Sequence, residues 1–216
     1  MSVIMTTCTS REEWLNERKA IGGSDAACIL GLNPWKSNVD LWLEKTGQKE
    51  PADLSDNPLV NYGAQAEAPL RKLFELDYPQ LKVEYMENNL WMNEKYPWAH
   101  ASLDGWITDR KGNKGILEIK TTNVSSASQK EEWNEKIPYH YYCQILHYLA
   151  VTEFDFAIVK AQLKWEIDGV VYCQVKHYRT DRRDVMEDIE LLMAAEEKFA
   201  EDVLSRRKPA LILPEI

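Results

Sequence analysis

The sequence predicts an α/β protein of the α+β kind, a central mixed sheet flanked by helices. Three observations carry that reading. Helical periodicity fills the first third of the chain, strand alternation follows from residue 82 to 121, and the remainder runs helix, two strands, long helix. Such an order packs helices on the faces of one sheet rather than stacking two all-β layers. With 216 residues and 44% apolar composition, the chain can bury one substantial core, so a single domain over residues 1–216 is expected.

Residues 11–20 read as a helix carrying Trp14, Leu15 and Arg18, broken by Gly22-Gly23. Ser24 is placed to cap a short second helix over 25–30, stopped by Gly31 and Asn33-Pro34. Ser37 caps a third helix running to residue 45, with Gly47 as its stop. Residues 48–60 are polar and proline-containing, a loop. A helix over 62–77 places Ala66, Leu70, Leu73 and Phe74 along one side; Pro69 fits if the helix proper begins near Ala66, leaving the proline in the first turn. Strands are expected at 82–86, 89–93, 99–108 and 115–121, the last two joined by a polar turn over 109–114. Residues 122–138 are polar and end at Ile137-Pro138. A helix over 139–151 turns Gln144, Ile145, Tyr148 and Leu149 inward. Strands at 154–161 and 170–178 flank Asp168-Gly169, and a helix over 183–205 carries the stripe Val185, Ile189, Leu192, Phe199, Val203.

Lys and Arg number 26 against 35 Asp and Glu, a net charge of −9. Phosphate-binding proteins usually carry a basic footprint, so either nucleic acid is not the partner or the acids cluster on outer surfaces and in a metal site while the binding face is locally basic. Cys8, Cys28, Cys143 and Cys173 form no C-x-x-C pair, which disfavours a zinc site and a disulfide framework. No signal pattern and no apolar run of the ~20 residues that span a bilayer is visible, so a soluble intracellular protein is expected.

The most informative stretch is Asp104 followed by Glu118-Ile119-Lys120 across a hairpin. Residues 118 and 120 share a strand face while Ile119 turns into a core. Two acids and a lysine on one buried face suit a divalent cation between the acids and an amine beside a water. An ordinary amphipathic strand edge reads the same way on spacing alone. Glu67 at a helix start and Gln144 downstream are candidates for the same cluster, each also readable as a capping acid and a core-edge amide. Gly22-Gly23-Ser24 at a helix start, with Arg18, would suit a phosphate, or is simply a capped helix after a turn. Lys120, Lys130, Lys136, Lys160 and Lys164 could line a groove with Trp133, Tyr139, Tyr141 and Tyr142 as stacking surfaces, or form solvated edges. The histidines lack metal spacing, though His100 is near enough to Asp104 in sequence to support it.

Taken in order, Arg18 to Asp25, Gly63 to Glu67, Ser102 to Gly105, Leu117 to Lys120 and Tyr142 to Gln144 resemble the lambda-exonuclease, or YqaJ-type, viral recombinase family of phage alkaline exonucleases, over residues 18–144. The resemblance implies a restriction-endonuclease-like core with a PD-(D/E)-x-K site. It implies that Asp104, Glu118 and the Ile119 carbonyl bind Mg²⁺, for which Mn²⁺ substitutes, that Glu67 completes the acidic cluster, that Lys120 orients or activates the attacking water, and that Gln144 sits beside the metal. Arg18, Ser24 and Ser102 would hold a DNA 5′-phosphate. It further implies 5′-to-3′ degradation of one strand of linear duplex DNA, a ring-shaped homotrimer, a single-strand-annealing recombinase as partner, and a phage or prophage protein in bacterial cytoplasm. An endonuclease on the same core, and a catalytically idle DNA-end-binding module, are the alternatives. Leu103 departs from the motif's nominal proline, at a position that shapes backbone and ligates nothing.

Overall fold

The computed structural model describes residues 2–10, 12–14 and 20–212. Its strands are β1 (Val3–Thr7), β2 (Ile21–Gly22), β3 (Lys82–Glu84), β4 (Asn89–Asn93), β5 (Ala99–Ala101), β6 (Gly105–Thr108), β7 (Lys114–Asn123), β8 (Phe156–Ile167) and β9 (Val170–Asp181). Its helices are α1 (Gly23–Ile29), α2 (Asn38–Lys45), α3 (Pro58–Asp77), α4 (Ala127–Glu132), α5 (Tyr139–Thr152) and α6 (Met186–Leu204), the last entered through a 3₁₀ turn at Arg182–Val185. Residues 12–14 are helical, and the rest of the helix expected over 11–20 lies mostly outside the described residues.

The architecture is mixed α/β as expected, but the strands divide into two sheets rather than one: β1-β4-β5-β2, and β3-β6-β7-β8-β9. The division falls inside the run 99–108, read from sequence as one strand. Its first part, β5, pairs with β4 in the smaller sheet, and its last part, β6, pairs with β7 in the larger. The break at Ser102, Leu103 and Asp104 is held by the buried Asn89 side chain. Its Oδ1 accepts from Leu103 N at 2.9 Å and its Nδ2 donates to Leu103 O at 2.9 Å, standing in for a strand neighbour. No alternation of side chains signals this, because the asparagine that replaces the ladder lies on another strand.

The larger sheet is mixed. β7 and β8 run parallel, with Glu118 beside Val159, and α5 supplies the crossover between them; the other pairs in it are antiparallel. Each face is covered. On one side α3 lays Leu70 and Phe74 against Ile107, Leu117, Ile119, Phe156 and Ile158. On the other, α5 and α6 bury Ile145, Leu149 and Leu192 with Ile116 and Val159. Full burial of side chains of this size contributes about 1.5–3 kcal/mol each. Every residue from Cys143 to Thr152 is buried, which fits a helix wedged among α1, α6 and the β4–β5 pair.

Helix α3 begins at Pro58, earlier than expected, because Asn57 caps it by accepting from Leu59 N at 2.9 Å and the proline occupies the first turn, where its missing N–H costs nothing. Pro69 therefore sits in the helix interior and not in its first turn, and Glu67 lies mid-helix rather than at a helix start. Helix α1 is capped at Gly22 and not at Ser24, with Asp25 Oδ2 accepting from Gly22 N at 3.1 Å. Ser37 caps α2 as expected, accepting from Asp40 N at 3.0 Å. Strands β8 and β9 extend to Ile167 and from Val170, joined by Asp168 (φ 50°) and Gly169 (φ 78°), a left-handed pair suited to a two-residue hairpin. Strands β1 and β2 and helix α4 were not foreseen: β1 and β2 are paired through tertiary contacts, and α4 carries no apolar stripe. Among the described residues no helix is long and apolar enough to cross a membrane.

Candidate active site

Strand β7 sorts its side chains as the period of two requires. Leu117 and Ile119 enter the core beneath α3, while Glu118 and Lys120 emerge on the α5 side. Glu118 is 2% exposed, and Lys120 Nζ lies 2.7 Å from its Oε1. Gln144, one turn into α5, binds both: its Oε1 accepts from Lys120 Nζ at 2.9 Å and its Nε2 donates to Glu118 Oε1 at 3.0 Å. The same Nε2 donates to the Tyr148 hydroxyl at 2.8 Å, which fixes the orientation of the amide. Gly23 at the start of α1 permits this packing, since a Cβ there would fall 2.4 Å from the Tyr148 ring and 3.0 Å from Gln144 Cγ.

Asp104 enters from the break between the two sheets. Its Oδ2 accepts from Ile119 N at 2.8 Å, so the carboxylate closes onto β7 just before β6 begins. Its main-chain carbonyl accepts from the Arg71 guanidinium, which also stacks 3.5 Å above the Tyr85 ring centroid. Glu67 stands one turn before Arg71 on α3. Gly63, one turn before Glu67 on the same helix, faces Thr121 of β7.

Glu67, Asp104, Glu118, Lys120 and Gln144 all line one cleft of about 380 Å³, with Ile119, Tyr148, Trp14 and Ser102 completing its walls. Of the three residues assigned to a phosphate, Ser102 lies in the cleft, its Oγ donating to Asn89 O at 2.8 Å and accepting from Trp14 Nε1 at 3.1 Å. Ser24 is exposed on the first turn of α1 and outside the cleft wall, and Arg18 lies outside the described residues. A larger hollow of about 660 Å³ lies between the loop preceding α5 and β9 and contains none of the site acids. The expected lysine groove is dispersed. Lys160 is 1% exposed and pairs with Asp77 at 3.3 Å, Lys130 and Lys164 cover Trp165 and Tyr62, and Trp133 is buried. His100 is buried, with its ring beside Gly22.

All three acids bind their protons more tightly than free carboxylates do. Burial, then the Asp104 charge, pushes Glu118 up to about 8. The same two causes push Glu67 up to about 7. Burial raises Asp104 as well, against the opposing pull of Lys120, the Ile119 N–H and Arg71. Burial works to lower Lys120, but Glu118 and Asp104 overcome it and hold the amine above its ordinary value. Glu118 Oε2 is buried and has no hydrogen-bond partner among the described residues. No three His, Cys, Asp or Glu side chains among those residues converge as a preformed ligand cage. The donors are nonetheless all hard oxygens, and an orphaned carboxylate oxygen beside a second buried acid suits a small divalent cation.

Three residues of this arrangement were not singled out for the site from the sequence. Tyr148 and Arg71 each follow a site residue at i+4, a spacing visible in the chain; Asn89 carries no such signal.

Residues 13–155 match the family model described as the YqaJ-like viral recombinase domain. The chain is 39% identical over 205 residues to the uncharacterized protein YqaJ of Bacillus subtilis (strain 168), an alignment covering 94% of this chain and 59% of that protein, so it spans about three-fifths of its relative's length. Among solved structures it is similar to an alkaline exonuclease, LHK-Exo, from Laribacter hongkongensis (TM-score 0.62, 17% identity, 91% of this chain and 97% of that one). The complex of LHK-Exo with dAMP gives a TM-score of 0.61 at 16% identity, with 91% and 96% covered. A phage related exonuclease from Haemophilus somnus 129PT gives 0.54 at 14% identity, with 87% and 96% covered. These likenesses are of fold, and the fold is the restriction-endonuclease-like one expected.

Proposed function

The chain belongs to the YqaJ-like viral recombinase family, and from that premise we propose that it is a divalent-metal-dependent exodeoxyribonuclease acting on the ends of linear duplex DNA. The convergence of Glu67, Asp104, Glu118, Lys120 and Gln144 on one cleft carries the reading. Solved structures of similar fold bear the names of exonucleases, which supports it.

Asp104, Glu118 and Glu67, with the Ile119 carbonyl, would hold Mg²⁺ or Mn²⁺. The cation would supply Lewis-acid stabilisation of charge on the phosphate and a more acidic bound water. The chain's own residues do the rest. Lys120, 2.7 Å from Glu118, orients or activates the attacking water. Gln144 holds Lys120 and Glu118 at fixed separation, and Tyr148 holds Gln144. Ser102, with Arg18 and Ser24, is assigned to the 5′-terminal phosphate. Polarity from 5′ to 3′, a ring-shaped trimer with acids outward, and work alongside a single-strand-annealing recombinase belong to the same proposal.

The test compares a 5′-phosphorylated linear duplex with a covalently closed circle, with Mg²⁺ and with excess chelator. Nucleotide release from the linear DNA alone, lost on chelation, is the expected result. Nicking of the circle would make the protein an endonuclease, and no release from either would make it a DNA-end-binding module.

A further inference from the structure

Trp35 is the most exposed aromatic side chain among the described residues, at 75%. It is not loosely held. Asn33 Oδ1 accepts from Trp35 N at 2.9 Å and from Lys36 N at 3.0 Å, and Lys36 is anchored to Glu44 at 2.6 Å, so the backbone that carries the indole is tied down between α1 and α2. The ring meets His140 in an edge-to-face contact, centroids 5.0 Å apart and planes at 82°, which leaves at least one broad face of the indole uncovered. His140 in turn lies 4.0 Å from Tyr141, and Lys120 Nζ stands 4.7 Å from the Tyr141 ring centroid. Burial, then the charge of Lys120, pushes His140 down to about 4, so the row is uncharged at neutral pH.

An isolated surface tryptophan needs no explanation. A rigid one at the solvent end of an aromatic row that finishes on the amine of the cleft does. We propose that Trp35 is a stacking ledge for an unpaired nucleobase of the DNA strand that enters or leaves the cleft, with His140 bracing the indole from behind. The proposal deepens the nuclease reading and rests on it. Every base offers a π-face, so such a ledge grips a strand without reading its sequence, as an enzyme working along arbitrary DNA requires. A cation adjoins the row at its start: Lys136 lies 5.9 Å from the ring of Tyr139, the residue before His140 and itself 66% exposed.

The experiment measures binding, without cutting, of a duplex carrying a short single-stranded extension, in chelator, by fluorescence anisotropy. One extension bears normal bases and the other abasic residues at the same positions. Wild type is expected to bind the base-bearing extension on the order of tenfold more tightly. Trp35→Ala should erase that preference, and Trp35→Phe should keep most of it. Trp35 is a surface loop residue, and an unchanged melting temperature for both variants would show that the fold is not at issue. Equal binding of the two DNAs by wild type, or a preference that survives in Trp35→Ala, overturns the ledge. Metal-dependent release of nucleotides from blunt duplex is scored separately. Cutting without base preference removes the ledge alone, base preference without cutting removes the nuclease assignment alone, and a protein that binds neither DNA removes both.

Discussion

At the scale of single residues the cleft is a balance of charges that do not tolerate subtraction. Lys120 offsets two buried carboxylates, so Lys120→Ala should lower cleavage by at least a hundredfold while DNA binding, measured in chelator, persists; full activity in this variant would take the amine out of the chemistry. Arg71 touches Asp104 only through its backbone and acts by placing it. Arg71→Ala should cost roughly 10–100-fold in activity and raise the Mg²⁺ concentration needed for half-maximal rate, and Arg71→Lys should recover part of both. An unchanged metal requirement in Arg71→Ala would reduce the arginine to packing against Tyr85. Much of this was legible beforehand. Glu118 and Lys120 had to share a strand face, and Gln144 had to face inward from its helix. Arg71 was not, because its role runs through a main-chain carbonyl that no residue pattern advertises.

At the scale of elements, the informative places are those where local preference lost to tertiary contact. Residues 99–108 alternate well enough to be one strand, yet Asn89 captures Leu103 and divides them between sheets. Asn89→Ala should destabilise the fold by about 1–3 kcal/mol for each Leu103 group left bare, read as a lower urea midpoint. The same change should depress cleavage further than the stability loss explains, since Asp104 is the next residue. Were cleavage to survive intact in folded Asn89→Ala, the break would not be what sets Asp104. Helix α3 is the second case. Its apolar side was visible, but Pro69 suggested a late start, and only the Asn57 cap and Pro58 reveal that the helix already has three turns behind it at that point. Burial of Leu70 and Phe74 around the proline offsets its cost.

Across the whole molecule, α5 is fastened to α6 and to the smaller sheet by a buried pair that the nuclease reading does not use. His147 Nδ1 lies 2.8 Å from Glu196 Oε1 on α6, and its Nε2 lies 2.8 Å from His100 O on β5. Both partners present oxygens to the ring, an arrangement that favours the doubly protonated imidazole. Burial pulls His147 down, but Glu196 and the His100 carbonyl outweigh it and the net shift is upward. A raised histidine gives stability that is fully present below the unfolded value near 6.5 and is lost as pH rises through the folded value. The melting-temperature advantage of wild type over His147→Gln should therefore be greatest at pH 5–6.5 and shrink as pH rises above that; a constant or growing gap would mean the ring is neutral in the folded protein. The mixed α/β class could be inferred from element order, whereas the second sheet could not, because it is made by pairings between β1 and β4 and between β2 and β5 that lie far apart in the chain.

The break at Ser102–Asp104 has one more consequence. The Asp104–Ile119 contact depends on the turn that Asn89, on the smaller sheet, holds at Leu103, and the Glu118–Gln144 contact depends on α5 lying across the larger sheet. A chain that has built only one of these two halves therefore holds Asp104 or Glu118 without the shared cleft that both of them line.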